Sequence, residues 1–187
     1  MECPRCGFVF LATGLSSYGF SSRDTDGRPN FWGLNPLPFF VKVCPHCEYA
    51  AFTSDFILKP SLTEEREKEM EVYLKYELAG THYEKIGLKL EAARAYHHAA
   101  WVLVDQGELQ EAKSFYLKAA NLYLEYFLKS DEIYNLYLSG ECFRRAGETL
   151  KARKVFEEIL SERKDLLKAS ENGEEIRKLT LEMLERC

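Results

Sequence analysis

Residues 91–100 read EAARAYHHAA, and residues 111–120 read EAKSFYLKAA. Both stretches open on Glu-Ala, carry tyrosine in sixth place and close on Ala-Ala. Small residues at helical spacing let two helices approach closely, while a large aromatic fills the space left between them. The pattern extends in both directions. Shifting the chain by sixty residues aligns Gly80 with Gly140, Tyr83 with Phe143, Gly87 with Gly147, Ala92 with Ala152 and Tyr96 with Phe156. Breaks are expected at Gly87, at Gly107, near Ser130 and at Gly147, with another between Ser161 and Gly173. The first four fall about twenty residues apart, which predicts a regular antiparallel array of helices.

This half resembles tetratricopeptide-type helical repeats. Gly80, Tyr83, Gly87, Ala92, Tyr96 and Ala99 follow that pattern, as do Gly140, Phe143, Gly147, Ala152 and Phe156, with Ile159 replacing the last alanine. Helix pairs here run to about forty residues against the usual thirty-four or so, so some repeats are extended. The resemblance implies an α-solenoid whose concave face holds a peptide or partner protein.

Upstream the composition changes. The first sixty residues are rich in Pro, Gly, Phe and Cys, and every proline lies at or before Pro60. The junction, LKPSLTEE at residues 58–65, places Pro60 where a helix interior would not tolerate it. Ser61 and Glu64 fit a capping box that opens the first helix. Two parts are therefore expected: a metal-binding module over residues 1–59 and helical repeats over residues 60–187. The fold class is mostly α, with a small β module in front.

GFVFLATG (residues 7–14) and PFFVKVC (residues 38–44) look like short strands beside cysteine pairs. Cys3 and Cys6 form one Cys-Pro-x-Cys knuckle, and Cys44 and Cys47 form the other. Two CxxC pairs on a hairpin describe a zinc ribbon, and four thiolates suit one tetrahedral Zn²⁺ per chain. Four cysteines leave no open position for substrate or water, so the zinc is expected to be structural. Rubredoxin-type iron sites use similar knuckles and are the less favoured metal; free thiols or two disulfides are the metal-free alternatives. Gly7 suits the backbone after a second knuckle cysteine, and Glu48 suits it less well. His46 is expected to point away from the metal. Thirty-seven residues separate Cys6 from Cys44, against about fifteen to twenty in compact four-cysteine motifs. This insertion must fold over the ribbon or project from it.

Within the insertion, residues 16–38 are dense in turn formers. Arg23, Asp24, Asp26, Phe31, Trp32 and Asn35 concentrate polar and aromatic groups and form a candidate recognition loop. The plainer reading is architectural: Asp and Asn fold the turns and Trp32 packs against the ribbon. His97 and His98, adjacent on one helix, face different ways and are expected to pack or meet solvent. Cys142 reads as a buried thiol.

The net charge of −5 disfavours non-specific nucleic-acid binding. No apolar run approaches the roughly eighteen residues of a membrane span. The opening MECPRCG is not expected to act as a secretory signal, and cysteines in CxxC pairs suit a reducing, cytoplasmic setting. Phosphate-loop, dinucleotide, HExxH and GxSxG motifs are absent, so no enzyme is expected.

Taken together, CPRCG, RDTD and GLNPLPFFVKVCPHCEYAAF, followed by the helices, resemble a bacterial family of unknown function, DUF2225. The matching positions are Cys3 to Cys6, Arg23 to Asp26, Asn35 with Pro36, and Cys44 to Ala51. The resemblance implies this two-part architecture and supplies no activity. The expected function is a non-enzymatic protein-interaction or scaffold module. A zinc-ribbon component of a nucleic-acid or translation-associated complex and a rubredoxin-like iron carrier are the alternatives. Partner identity and oligomeric state are not legible.

Overall fold

The computed structural model describes residues 1–59 and 63–187. Among these residues seven helices follow one another with tight breaks: α1 (Val72–Lys85), α2 (Lys89–Gln106), α3 (Leu109–Ser130), α4 (Ile133–Ala146), α5 (Thr149–Ser161), α6 (Lys164–Ala169) and α7 (Gly173–Glu185). Each of the first five packs on the next, and α7 closes against α5, giving an antiparallel helical array. The breaks stand where Gly87, Gly107, Ser130 and Gly147 placed them, and the short α6 fills the stretch between Ser161 and Gly173.

The small-against-large pairing explains the close packing. A methyl group on Gly80 would sit 2.7 Å from the Tyr96 ring, and one on Gly140 would sit 2.6 Å from the Phe156 ring. Both distances lie inside van der Waals contact, so only glycine lets α1 meet α2, and α4 meet α5, at this separation. Tyr83, Ala92, Ala99, Ala152 and Ile159 are buried along the same seams.

The N-terminal part has two antiparallel hairpins: β1 (Gly19–Arg23) with β2 (Pro29–Trp32), and β3 (Val41–Val43) with β4 (Ala50–Phe52). The second lies within one expected strand and beyond it. The other expected strand, residues 7–14, forms only single bridges, Val9 to Glu2 and Leu11 to Arg66. The reason is that its backbone partners come from separate segments. Phe10 exchanges hydrogen bonds with Met1, while Leu11 N–H donates to the Glu65 carbonyl and Leu11 accepts from Glu67 N–H. Among the described residues, no single neighbouring strand runs alongside it to build a ladder.

The helix expected to open at Ser61 and Glu64 is a further correction. Ser61 lies outside the described residues, residues 63–71 are not helical, and the first helix starts at Val72. Residues 65–68 instead lie along the ribbon, where Lys68 N–H donates to the Val43 carbonyl. Lys42, fully buried, reaches the Thr13 carbonyl at 2.5 Å and Glu67 at 3.3 Å, and Glu67 also faces Lys75 at 3.6 Å. These backbone and ionic bonds outweigh the local capping preference, which contributes only about 1 kcal/mol.

The ribbon then docks on α1. Tyr76 Oη donates to the Leu37 carbonyl at 2.7 Å, and Tyr83 Oη accepts from Phe52 N–H at 2.7 Å while donating to Asp55 at 2.6 Å. Tyr76 and Tyr83 are two turns apart on one face of the helix.

Candidate metal centre and the anchored loop

Four sulfurs, those of Cys3, Cys6, Cys44 and Cys47, lie within 4.8 Å of one another. The two knuckles that carry them have the same backbone plan. Cys3 N–H donates to the Phe8 carbonyl and Gly7 N–H to the Cys3 carbonyl, each at 2.9 Å. Cys44 N–H donates to the Tyr49 carbonyl at 2.9 Å and Glu48 N–H to the Cys44 carbonyl at 3.0 Å. The residue after each second cysteine is left-handed, Gly7 at φ +73° and Glu48 at φ +57°. Glycine takes that conformation freely and glutamate at a cost, so the same turn is built from unlike residues.

Across the knuckles, Cys3 and Cys47 sulfurs are 3.7 Å apart and those of Cys6 and Cys44 are 3.8 Å apart. A tetrahedron with metal–sulfur bonds of about 2.3 Å has edges of about 3.8 Å. A disulfide would need about 2.05 Å, and all six cysteines are free. The Phe8 backbone N–H draws Cys6 down to about 6, while burial, helped by the neighbouring sulfurs, pushes Cys47 up to about 12. The sulfur spacing and the soft thiol donors together fit this set to a metal ion. His46 is exposed and stacks on Phe8 with ring centroids 5.2 Å apart.

The insertion does not stay beside the cysteine cluster. Its β1–β2 hairpin carries residues 24–28 onto the face that α2, α3 and α4 share. Asp24 N–H donates to the Arg28 carbonyl and Gly27 N–H to the Asp24 carbonyl, closing a three-residue loop with Gly27 at φ +79°. At its tip Asp26 is 1% exposed. Its Oδ2 accepts from Trp101 Nε1 at 3.0 Å and from Tyr116 Oη at 3.1 Å, with Arg145 Nε at 3.2 Å and His97 Nε2 at 3.5 Å. Burial alone would raise the Asp26 pKa. The His97 contact and the Arg145 guanidinium outweigh it and hold the carboxyl well below the usual carboxylate range.

Neighbouring groups extend the network. Thr25 Oγ1 donates to Glu141 at 2.6 Å, and the Thr25 carbonyl accepts from Tyr137 Oη at 2.7 Å. Glu141, fully buried, also receives a bidentate pair of bonds from Arg144 at 2.7 and 2.8 Å. Arg28 pairs with Asp105 at the end of α2.

The six loop residues named from sequence thus take different places. Asp26 is the buried anchor. Asn35 accepts from Leu37 N–H at 3.0 Å, folding its own turn, and reaches Asp105 at 3.3 Å. Asp24 accepts from Asn30 at 3.3 Å, and Arg23 donates to the Gly27 carbonyl while its guanidinium sits over the Phe20 ring. Phe31 is partly buried against Tyr18, and Trp32, 67% exposed, lies across Gly19. The helical half of this network went unread. Its signals were present as spacing: His97 with Trp101, and Tyr137, Glu141 and Arg145, are each four apart and share a helix face.

The family model described as "uncharacterized protein conserved in bacteria", DUF2225, matches residues 1–72 and 63–182. The chain belongs to this family. The two DUF2225 segments overlap at residues 63–72, the stretch that runs from the ribbon into α1. Searches of curated proteins and of solved structures returned no match. Among the described residues, no helix is long and apolar enough to cross a membrane.

Proposed function

We propose that this DUF2225 chain is a non-enzymatic protein-interaction or scaffold module, in a reducing cytoplasmic setting, with one structural zinc. The observation that carries the reading is the convergence of four cysteine sulfurs within 4.8 Å. Four thiolates complete a tetrahedral shell, leaving no position at which water or substrate would be activated. The role left to such a metal is mechanical: it staples a β module too small to fold on its core alone. The tetratricopeptide-like pairing of glycines with aromatics supports reading the helical array as a surface for a protein or peptide partner.

Elemental analysis of untagged, aerobically purified protein tests the metal. One zinc per chain is expected; one iron per chain, in a red protein, would overturn the scaffold in favour of electron transfer. Partner class is tested by capture from the native host with elution across a salt series. A protein partner holds through moderate salt, whereas a nucleic acid is released steeply as counterions compete.

A further inference from the structure

We infer that the face shared by α2, α3 and α4 is a binding site for an aspartate-bearing turn, which the chain fills with its own Thr25-Asp26-Gly27 tip. The natural outside occupant is a partner protein that presents an Asp at a tight turn. The inference rests on the reading of the array as an interaction surface and adds the chemistry of its ligand.

The tip is read residue by residue, from three helices. The Asp26 carboxylate meets donors on each of them, Trp101 from α2, Tyr116 from α3 and Arg145 from α4. Thr25 is recognised at both its hydroxyl and its carbonyl. Residue 27 stands at φ +79°, a conformation that favours glycine, with Tyr134 Oη 2.8 Å from where a first side-chain carbon would stand. Such complementarity to sequence, not only to shape, is how a site distinguishes a ligand.

The stalk, by contrast, is largely open to solvent. β1 is exposed along four of its five residues, and its pairing with β2 slips between Phe20 and Arg23. The tip is retained chiefly by its polar contacts, Arg28 to Asp105 included, and a partner offering the same contacts competes for the face against a tethered rival. A cavity of about 330 Å³ opens beside the tip, lined by Asp24, Thr25, Tyr134, Glu175 and Ile176 among others, and gives a competitor access. Tethering raises the local concentration of the tip to roughly millimolar, so the intact chain resists capture of a free peptide.

The test uses a labelled peptide of residues 19–32 as the probe. In one variant residues 20–31 are replaced by a short Gly-Ser linker; in a second, Asp26→Asn is made in the full chain. Both should bind the peptide at least about 10-fold more tightly than the wild-type chain does, since one charged hydrogen-bonding anchor is released. A peptide carrying Asp26→Asn should lose about 10-fold on the linker variant. If the linker variant does not fold, the full-length Asp26→Asn chain decides the question. Equal peptide affinity for variant and wild type, with native circular dichroism, would overturn the inference and leave the tip a structural anchor. A chain that holds one zinc and captures its partners yet ignores the peptide would defeat this inference alone, not the scaffold reading.

Discussion

The helical array and the cysteine-knuckle module solve the same problem with different means. In the array, alanines and glycines bring backbones together, and Tyr96, Tyr116, Phe127, Tyr137 and Phe156 fill the seams. Hydrophobic burial accumulates along a repeated pattern, so many residues each contribute a little. In the cysteine-knuckle module, Phe10, Leu37, Val41, Val43, Ala50, Ala51 and Phe56 make a small core around two knuckles. There a few point contacts decide the structure: four sulfurs, the Lys42–Glu67 pair and the docking of β4 on Tyr83. Distributed packing degrades gradually when one residue changes. Point contacts fail at once.

The hardest way to press on this contrast is to take away the proposed metal. Cys44→Ser, or chelation of the wild-type protein, should unfold the N-terminal module, because metal binding in small zinc domains contributes about 10–16 kcal/mol. Near-ultraviolet circular dichroism and limited proteolysis should report loss of residues 1–59 as an ordered unit, while most far-ultraviolet helical signal persists. Complete loss of the helical signal would show that the two regions fold as one cooperative body and that the contrast is false.

Asp26 joins the two regions, and it behaves as a point contact inside the array. Asp26→Ala strands the Arg145 guanidinium, the Trp101 indole N–H and the Tyr116 hydroxyl, and should cost about 3–5 kcal/mol in chemical denaturation. Asp26→Asn keeps the shape, loses the charge and should cost less. The pH dependence follows from the sign of the shift. The folded-state pKa lies below the usual value of 3.8. The carboxylate therefore contributes stability in full above that unfolded value, and the contribution is lost as pH falls through the folded pKa. Acidification below about pH 4 should destabilise the wild-type chain more steeply than Asp26→Asn. Parallel curves would mean that Asp26 is not the group being titrated.

What could be read from sequence follows the same division. The helices, their breaks and the Gly140–Phe156 pairing were legible because repetition states each packing rule more than once. The convergence of the four cysteines was legible because two CxxC pairs at that spacing have few other uses. The destination of the insertion was not. Its Asp-Gly at residues 26–27 is a hairpin signal, but nothing local says that Asp26 will lie under Trp101, seventy-five residues away. His97 reads as an ordinary helix residue because its Asp26 partner arrives from another part of the chain. The opening helix was misplaced for a like reason: the extended run over residues 63–71 is held by Leu11 and Val43, which no window around Ser61 contains.

The distributed half can be probed where its seams are tightest. Gly140→Ala would gain about 1 kcal/mol in helix propensity. The added carbon would meet the Phe156 ring at 2.6 Å, and Phe156 is fully buried. Overpacking of that kind costs about 1–3 kcal/mol, so a net loss of about 1 kcal/mol is expected in thermal or chemical melts. Gly80→Ala should behave alike against Tyr96. An unchanged or raised melting temperature in both variants would show that the seams relax, and that the glycines are there for some purpose other than close approach.

The smallest effect is expected at Glu48, where the two knuckles can be compared directly. Gly7 and Glu48 occupy equivalent positions and both are left-handed. A side chain in that conformation costs about 1 kcal/mol or somewhat more, a cost that Gly7 escapes. Glu48 recovers part of it by pairing with Lys68, but both partners are substantially exposed, at 62% and 39%. Exposed pairs contribute between about 0 and 1 kcal/mol and weaken with salt. Glu48→Gly should therefore leave metal content unchanged and raise stability by a few tenths of a kcal/mol at physiological salt, rising towards about 1 at high salt, where the lost pair counts for least. The check is a denaturant midpoint measured for both chains at low and high ionic strength. A variant less stable than wild type in high salt would mean that Glu48 holds the second knuckle by something other than charge, and that the likeness of the two knuckles ends at the backbone.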